Sequence, residues 1–283
     1  MNVMKNIKIN LCGIIHYCII IGGAIFSLLG FVSVFINIEG CFSNWLDATL
    51  CILLVLIAVV IISCIFTLAI REKVIFVNKN QKTLSVGYGD LFTENAKIKV
   101  IAVNRCFDTI VNDLISPKSL HGKLIQDHLS NMSVEELNGK ITESLRRQGC
   151  KGEEILYKSK GNKIRYPVGT IAELNYGNTC YYLLALTEMD VNLNTYCTLE
   201  DYCLAISKLM YYYDKNGQGY EMVLPIMGSG FTRLDRSEKQ LLELISSLIK
   251  IHYTQMRGNI KIVIYKDLRN VISIANLQKD TEK

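Results

Sequence analysis

The stretch VLPIMGSGFTR, residues 223–233, passes from an apolar strand pattern into a Gly-Ser-Gly turn ahead of a helix pattern. A glycine-rich turn between a strand and a helix presents backbone N–H groups to an anion, and the same composition also serves as a plain tight turn. The stretch has neither the Gly-Lys-Ser/Thr end of a P-loop nor the third glycine of a Rossmann turn, which argues against an ATPase and an NAD-dependent dehydrogenase. A phosphate-binding loop and a structural turn remain.

The segments on either side alternate between strand and helix patterns. Downstream, residues 234–256 carry apolar side chains at helical spacing, and residues 259–265 form a last strand pattern. Upstream, Ser133 with Glu136 forms a capping box for a helix at 133–149, and Thr198 precedes a second helix. Residues 74–90 form a hairpin pattern with a polar turn at Asn78 to Gln81, and further strand patterns lie at 97–103, 164–168, 181–189 and 221–227. This alternation predicts a three-layer α/β domain with a mixed central sheet.

Two uncharged apolar runs precede this domain, at residues 11–36 and 48–70. Each is longer than the roughly 20 residues that cross a bilayer as a helix. A cleaved signal peptide is the alternative for the first run, but the apolar region of a signal has only about 7–15 residues. We therefore predict a cytoplasmic N-terminus at 1–10, transmembrane helices at 11–36 and 47–70, an external loop at 37–46 and a cytosolic domain at 71–283.

The charges around the two runs orient this hairpin. The connecting loop carries Glu39 and Asp47 and no Lys or Arg, whereas basic residues flank the outer sides of the runs, at Lys5, Lys8, Arg71 and Lys73. Loops rich in Lys and Arg stay on the cytoplasmic side of a membrane. Both termini are therefore expected in the cytoplasm.

Composition limits the function classes further. The chain is 50% hydrophobic over 283 residues, which argues against a disordered or fibrous protein. Ten cysteines are scattered without a CxxC pair or a histidine at ligand spacing, so we predict reduced thiols and neither disulfides nor a metal site. The net charge of +5 has no dense basic tract behind it, which favours a membrane surface over nucleic acid as a partner.

Two separated motifs resemble those of macro domains. GDLFTENAKIKVIAVN (89–104) is similar to the opening of that family, and LPIMGSGFTR (224–233) is similar to its second signature. VNRCFDTIV (103–111) and ISPKSLHGKLI (115–125) resemble the variant macro domain that is fused to two transmembrane helices, the membrane-bound effector of type II Thoeris antiphage defence. The resemblance covers essentially the whole chain, hairpin included.

Macro domains bind ADP-ribose, and the resemblance implies which residues contact it. Asp90, followed by Leu91, matches the aspartate that accepts a hydrogen bond from the adenine amino group, a task that suits a group that only accepts. Asn104 matches the asparagine at the distal ribose. From the residues alone, Gly-Asp is also turn chemistry and Asn also a common strand end. The resemblance assigns the diphosphate and a sugar to the glycine turn, at Gly228, Ser229, Gly230 and Phe231.

The resemblance adds two further segments to the ligand site. In the variant family the loop after the first motif lies against the diphosphate and distal ribose, and its residues here are Ser119, Leu120, His121 and Gly122. His121 suggests a general base, but no Ser-His-Asp or Cys-His arrangement can be named from spacing, and a structural histidine is the alternative. Gly169 and Thr170 match a family turn and are either pocket residues or a simple turn.

One departure from the family bears on catalysis. Many hydrolytic macro domains carry Asn-Ala-Ala-Asn, whereas this chain has Asn104-Arg105-Cys106-Phe107. Phenylalanine cannot position a hydroxyl group or a water molecule, so a binding module is favoured over an enzyme. Arg105 and Asp108, next to Phe107, would instead read a substituent on the distal ribose, such as an amino-acid carboxylate and amine.

The resemblance also implies a function. A TIR-domain enzyme consumes NAD and makes a nucleotide second messenger, ADP-ribose conjugated to histidine; the macro domain binds it without a cofactor, and the hairpins form homo-oligomers that disrupt the bacterial inner membrane and kill the cell. Small residues on the first span allow close helix approach, at Gly22, Gly23, Ser27 and Gly30, although glycine is also ordinary in membrane helices. The alternatives are a membrane-tethered ADP-ribosyl hydrolase or nucleotide-processing enzyme, and a constitutive membrane scaffold.

Overall fold

The computed structural model describes residues 3–35, 44–156, 158, 160–190, 194–228, 234–253 and 256–281. The chain forms two compact units. The helical unit comprises Met1–Lys73 and Asp267–Gln278, and the sheet unit comprises Val74–Lys266 and Lys279–Lys283. The sequence predicts one continuous cytosolic domain at 71–283, whereas the structure groups residues 267–278 with the helical unit.

The helical unit contains a short helix and two long apolar ones. They are α1 (Val3–Ile9), α2 (Leu11–Ser33) and α3 (Trp45–Ala69). Both α2 and α3 are long and apolar enough to cross a membrane, with hydropathies of 2.1 and 3.2. α2 begins at the predicted residue 11 and ends three residues before 36, and α3 begins two residues before 47 and ends one residue before 70. The predicted external loop falls largely outside the described residues.

Small side chains lie where α2 and α3 pack together. Gly22 of α2 faces α3, because a Cβ atom built on it lies 3.8 Å from Val59 Cγ1. On α3, the hydroxyl groups of Ser63 and Thr67 are buried and donate 2.7 Å hydrogen bonds to backbone carbonyls one turn back, those of Val59 and Ser63. These bonds satisfy polar groups that have no water to bind inside a bilayer.

The sheet unit is built on one large sheet and one two-stranded ribbon. The strands are β1 (Glu72–Val77), β2 (Thr83–Gly89), β3 (Ile98–Asn104), β4 (Glu153–Glu154), β5 (Ile164–Arg165), β6 (Ile171–Tyr176), β7 (Thr179–Met189), β8 (Thr195–Tyr196), β9 (Met222–Pro225), β10 (Ile260–Tyr265) and β11 (Asp280–Thr281). The order in the large sheet is β11-β1-β2-β10-β9-β3-β7-β6, with β8 added beside β7, and β4 pairs with β5. The strand predicted at 164–168 is shorter than expected, since only Ile164–Arg165 pairs.

Parallel pairing in the centre of the sheet brings one set of strand ends together. The strands β2, β10, β9, β3 and β7 all run in the same direction, whereas β6 and β8 run antiparallel to β7. The sheet is therefore mixed, as predicted. The carboxyl ends of the five parallel strands meet at one edge, which is where ligands bind in open α/β sheets.

Helices cover both faces of the large sheet. They are α4 (Leu120–Lys123), α5 (Val134–Arg147), α6 (Leu199–Asn216) and α7 (Glu238–His252). The predicted capping residues are confirmed, because Ser133 and Thr198 accept hydrogen bonds from the N–H groups of Glu136 and Asp201. The helix predicted at 234–256 is shorter than expected and begins after a capping box at Ser237.

Two adjacent residues of β7 show which helices lie on each face of the large sheet. Leu183 belongs to a core with Leu137 and Ile141 of α5, whereas the ring of Tyr182 lies 5.4 Å from that of Tyr212 of α6. Successive side chains of a strand point to opposite faces of a sheet, so α5 and α6 lie on opposite sides. A three-layer α/β fold, preceded in the chain by two apolar helices, is thus confirmed.

Truncation of a core side chain tests this layering. Leu183 is 1% exposed, so Leu183→Ala should lower the free energy of unfolding by about 2–5 kcal/mol through lost burial and a cavity. Leu156 is 86% exposed, and Leu156→Ala should change the free energy of unfolding by no more than about 0.5 kcal/mol. Denaturant unfolding of the detergent-solubilised protein, followed by circular dichroism, measures both. Equal losses in the two variants would contradict the assignment of the core.

Candidate ligand-binding site

The turns at the carboxyl edge of the sheet come together as a rim, and we call this set of turns the ligand edge. It contains the turn after β2 at Asp90, the segment after β3 at residues 104–108, the turn after β9 at Gly228, and the α4 segment at residues 119–128. Two ring contacts join these parts. The rings of Phe92 and His128 stack with centroids 4.0 Å apart, and Lys123 Nζ lies 5.6 Å from the ring centroid of Tyr265 at the end of β10.

The carboxylate of Asp90 stands at the start of a short 3-10 turn, Leu91–Thr93. One of its oxygens accepts a 3.0 Å hydrogen bond from the N–H of Phe92, so the turn chemistry expected of Gly-Asp is present. The side chain remains partly exposed, whereas Leu91 is buried in the core. Below the turn, Lys99 Nζ donates a 2.7 Å hydrogen bond to the carbonyl of Phe92, and burial lowers the pKa of that lysine. The hydrogen bond from Lys99 therefore stabilises the turn.

A closed polar network follows β3. The Asn104 side-chain carbonyl accepts from the N–H groups of Cys106 (3.1 Å) and Asp108 (3.2 Å), and its amide donates to Asp108 Oδ2 (3.0 Å). Asp108 is fully buried and forms an ion pair with Lys158. Its other oxygen accepts the Asn162 N–H at 2.7 Å, and Lys158 also donates to the Asn162 carbonyl at 2.9 Å. A buried ion pair is stable only with such additional hydrogen bonds.

This network changes what Asn104 and Asp108 offer to a ligand. The polar atoms of both side chains already form hydrogen bonds within the chain, and both side chains are buried. Lys158, Gly161 and Asn162 cover Asp108, and we call these three residues the strap. The role expected for Asp108, reading an amine on the distal ribose, would require the strap to open. Gly161 shows how closely that strap approaches, because a Cβ atom built on it would lie 2.2 Å from Asp108 Oδ1.

Phe107 belongs to the segment after β3, but its side chain points into the core. Its φ angle is +52°, in the left-handed region that bulky residues rarely adopt. The conformation is held by hydrogen bonds from its N–H to the Asn104 carbonyl and from Asn162 Nδ2 to its own carbonyl, at 2.9 and 2.8 Å. The ring is 1% exposed and meets Tyr166 edge-on. The side chain therefore packs and offers no polar atom.

Arg105 is tied to the neighbouring strand end. Its guanidinium pairs with Glu188 near the end of β7 and donates to the Tyr166 carbonyl at 2.8 Å. Arg165 lies 3.5 Å from the same glutamate. A β-bulge between Val103 and Asn104 brings these residues together, since it shifts the register of β3 against β7. Two arginines thus share one carboxylate beside the ligand edge.

The α4 segment has a built N-terminus and a buried histidine. Ser119 accepts from the Gly122 N–H at 3.0 Å and donates to the Ser116 carbonyl at 2.7 Å. Only glycine fits at Gly122, where a Cβ atom would lie 2.2 Å from the Ser116 carbonyl. Leu120 packs against the core. His121 is 6% exposed, and burial lowers its pKa to about 4, so it is neutral at pH 7.

Two glycine turns complete the set of expected residues. Gly228 has a φ angle of +98°, which a residue with a side chain rarely adopts. Ser229, Gly230 and Phe231 lie outside the described residues. Gly169, with φ of +78°, packs against the aliphatic part of Lys208 on α6, and Thr170 donates to the Pro167 carbonyl at 2.7 Å. This second turn has the hydrogen bonds of a simple turn.

Four residues of this site were not predicted to take part in it. They come from segments about 50 residues or more beyond their partners on the loop after β3, and they are Lys158, Asn162, Tyr166 and Glu188. Their roles follow only from the folded arrangement.

A mixed sheet with helices on both faces and ligand-side turns after β2, β3 and β9 defines a macrodomain-like α/β protein. The chain belongs to the family described as Thoeris protein ThsA, Macro domain, whose model matches residues 84–265. It is 25% identical over 250 residues to Thoeris protein ThsA of Bacillus amyloliquefaciens (strain Y2), covering 84% of this chain and 82% of that relative. Membership of this family associates the chain with Thoeris antiphage defence and with ADP-ribose binding, and the two apolar helices indicate a membrane anchor.

Solved macrodomains are similar at low sequence identity. The Oceanobacillus iheyensis macrodomain with ADP is 12% identical, with a TM-score of 0.48, and the match covers 73% of this chain and 94% of that one. Thermosipho africanus DarTG in complex with ADP-ribose is also 12% identical, with a TM-score of 0.42, covering 67% of this chain and 43% of that one.

The buried ion pair after β3 gives a stability test. Lys158→Met leaves the Asp108 carboxylate buried without its cation and should lower the free energy of unfolding by about 3–5 kcal/mol. The matched control is Lys160→Met, because the Lys160–Asp113 pair is 61% and 53% exposed and should contribute about 0–1 kcal/mol. Denaturant unfolding measures both variants, and a similar small effect in each would show that the buried network is not formed.

His121 should make stability depend on pH. The unfolded chain takes up a proton on this histidine below its ordinary pKa of 6.5, whereas the folded chain does so only near 4. Stability is therefore lost as the pH falls from 6.5 to 4, by about 3 kcal/mol in total. The loss should be smaller in His121→Gln and unchanged in the exposed control His252→Gln. Thermal unfolding across this range would refute the assignment if His121→Gln followed the wild-type profile.

Proposed function

We propose that this chain is a membrane-bound sensor and effector that binds an ADP-ribose-derived signal without cleaving it. The signal is histidine-ADP-ribose, made from NAD by a TIR-domain enzyme. Binding at the ligand edge drives the hairpins of several copies to assemble and to disrupt the bacterial inner membrane. In this proposal residues 11–70 are the membrane hairpin, both termini are cytoplasmic, and most of 71–283 is the cytosolic receptor.

The ligand edge supports binding of a nucleotide diphosphate. Asp90 keeps a partly exposed carboxylate beside a braced turn, and a carboxylate accepts from an adenine amino group. The left-handed backbone at Gly228 suits the close approach of N–H groups to a diphosphate. In this proposal Ser229, Gly230 and Phe231 continue that contact, while Ser119, Leu120, His121 and Gly122 flank it.

The closed network after β3 is the observation that carries the non-catalytic part of the proposal. Hydrolysis of a ribose bond needs a base or a polar group that positions water. Asn104 and Asp108 are committed to one another and to Lys158, and Phe107 is packed in the core. His121 is a weak base because burial lowers its pKa to about 4. In this proposal Arg105 and Arg165 lie near the distal ribose, where a carboxylate on the ligand would replace or share their present partner Glu188.

The hairpin supports assembly through the outer face of α2. Gly22 is used against α3, whereas Gly23 and Gly30 have no described atom within 4 Å of a Cβ built on them. Ser27 lies one turn from Gly23, so the predicted small-residue stretch divides into an inner position and an outer stripe. A ligand drives assembly only if it binds the assembled form more tightly than the resting one. The proposal therefore requires nucleotide affinity to rise with assembly.

Calorimetry and product analysis on the full-length protein test this function together. Histidine-ADP-ribose should bind with measurable heat and be recovered intact. Asp90→Ala should weaken binding about 10- to 100-fold, the loss of one hydrogen bond to a charged group. Asp90→Asn keeps an acceptor for the Phe92 N–H but adds donors that face the adenine amino group, so it should also weaken binding. Asp113→Ala, an exposed carboxylate, is the control.

The outcomes separate the candidate functions. Release of free ADP-ribose or histidine with turnover would establish the hydrolase alternative and refute the sensor. Absence of binding by any ADP-ribose compound would leave a membrane scaffold. Unchanged affinity in both Asp90 variants would show that the adenine lies elsewhere.

A further inference from the structure

The helical unit contains a clasp that closes on the start of the first membrane span. Residues 267–278 belong to this unit, and Ile272–Asn276, which we call the clasp, contact the junction between α1 and α2. The clasp includes the buried residues Ile272, Ser273 and Ile274. It lies far along the chain from the helices that it contacts.

Asn276 caps two helix ends at once. Its side-chain carbonyl accepts from the Gly13 N–H, in the first turn of α2, at 2.8 Å, and its amide donates to the Ile9 carbonyl, at the end of α1, at 2.9 Å. First-turn N–H groups and last-turn carbonyls of helices lack partners within their own helix. The N-cap residue of α2, Asn10, makes no side-chain capping bond. A residue more than 260 positions away takes over that role.

Further contacts hold the clasp in register. Ser273 donates a 2.5 Å hydrogen bond to Asn10 Oδ1, and both residues are buried. Lys73, just after α3, donates to the Ala275 carbonyl at 2.7 Å. A Cβ atom built on Gly13 would lie 3.0 Å from both Ala275 Cβ and Thr67 Cγ2, so only glycine admits this packing without displacement. The clasp therefore binds the N-terminal end of α2 and, through Lys73 of β1, the segment that follows α3.

The chain on both sides of the clasp belongs to the large sheet. It enters from β10, whose last residue Tyr265 stands at the ligand edge, through the 3-10 turn Lys266–Asn270. It leaves into β11, which pairs in parallel with β1. The clasp is therefore continuous in the chain with the end of β10 at the ligand edge, and it is hydrogen-bonded to the first turn of α2.

We propose that the clasp transmits nucleotide binding to the membrane hairpin, so that it acts as a coupling element and not as a ligand contact. This inference rests on the proposed function, because that function supplies the nucleotide binding that the clasp transmits. The capping of Gly13 by Asn276 is independent of that function and can be tested without a nucleotide.

The first experiment examines the capping itself, in full-length protein in lipid nanodiscs without nucleotide. Hydrogen exchange of the segment around Gly13 should be slow in the wild type and about tenfold faster in Asn276→Ala, which is a difference of about 1.4 kcal/mol. Gln278→Ala, an exposed amide in the same segment, should exchange like the wild type. Fast exchange at Gly13 in the wild type, or equal exchange in all three proteins, would refute the clasp.

The second experiment examines transmission in vesicles of phosphatidylethanolamine and phosphatidylglycerol that contain a dye. Histidine-ADP-ribose should bind Asn276→Ala with wild-type affinity, which also shows that the receptor is folded. The concentration that gives half-maximal leakage should rise about tenfold or more. Gly13→Val, which displaces the clasp from the helix side, should behave in the same way, and Gln278→Ala should leak like the wild type.

Each remaining outcome has a defined meaning. Unchanged leakage in Asn276→Ala and Gly13→Val would refute transmission. Leakage from these two variants without nucleotide would also refute it, because the clasp would then inhibit the hairpin in the resting state. If the wild type neither binds nor leaks with the nucleotide, the proposed function fails and transmission fails with it. The hydrogen-exchange result still decides whether the clasp exists.

Discussion

The site depends on the parallel pairing of five central strands. Because β2, β10, β9, β3 and β7 run in one direction, every turn that leaves a carboxyl end emerges at the same edge. Gly228 lies more than 100 positions beyond Asp90 and the loop after β3, and it reaches the same edge for this reason. The bulge between Val103 and Asn104 then adjusts one strand end, so that Arg105 reaches Glu188. The direction of strand pairing determines which residues lie at the same edge. The bulge determines how the residues after β3 are oriented there.

Local patterns predicted most of the architecture. The two membrane helices follow from uninterrupted apolar runs, which need no tertiary information, and the capping residues Ser133 and Thr198 fixed the starts of α5 and α6. The errors are at boundaries. Residues 164–168 look like a strand, yet only two of them pair. The helix at 234–256 is bounded by the capping box at Ser237, which the apolar pattern does not reveal.

The site was predictable only where a motif carries it. Asp90 and Gly228 were identified as candidate site residues because they stand in motifs that resemble those of macro domains. Lys158 was not, because a lysine in a loop is ordinarily solvated and nothing local marks it as the partner of Asp108, 50 positions away. The clasp was missed for the same reason. Long-range polar contacts arise from the fold, and single-sequence patterns do not encode them.

The position of the clasp in the chain also orders events during synthesis. Asn276 is made about 200 residues after the end of α3, a delay of about 10–40 s at typical elongation rates. Throughout that interval the N-terminal end of α2 has no Asn276 to cap it. A nascent chain therefore completes α2 and α3 before the clasp that contacts α2 exists. If the clasp couples the two units as proposed, the hairpin can respond to a nucleotide only after translation has passed α7 and β10.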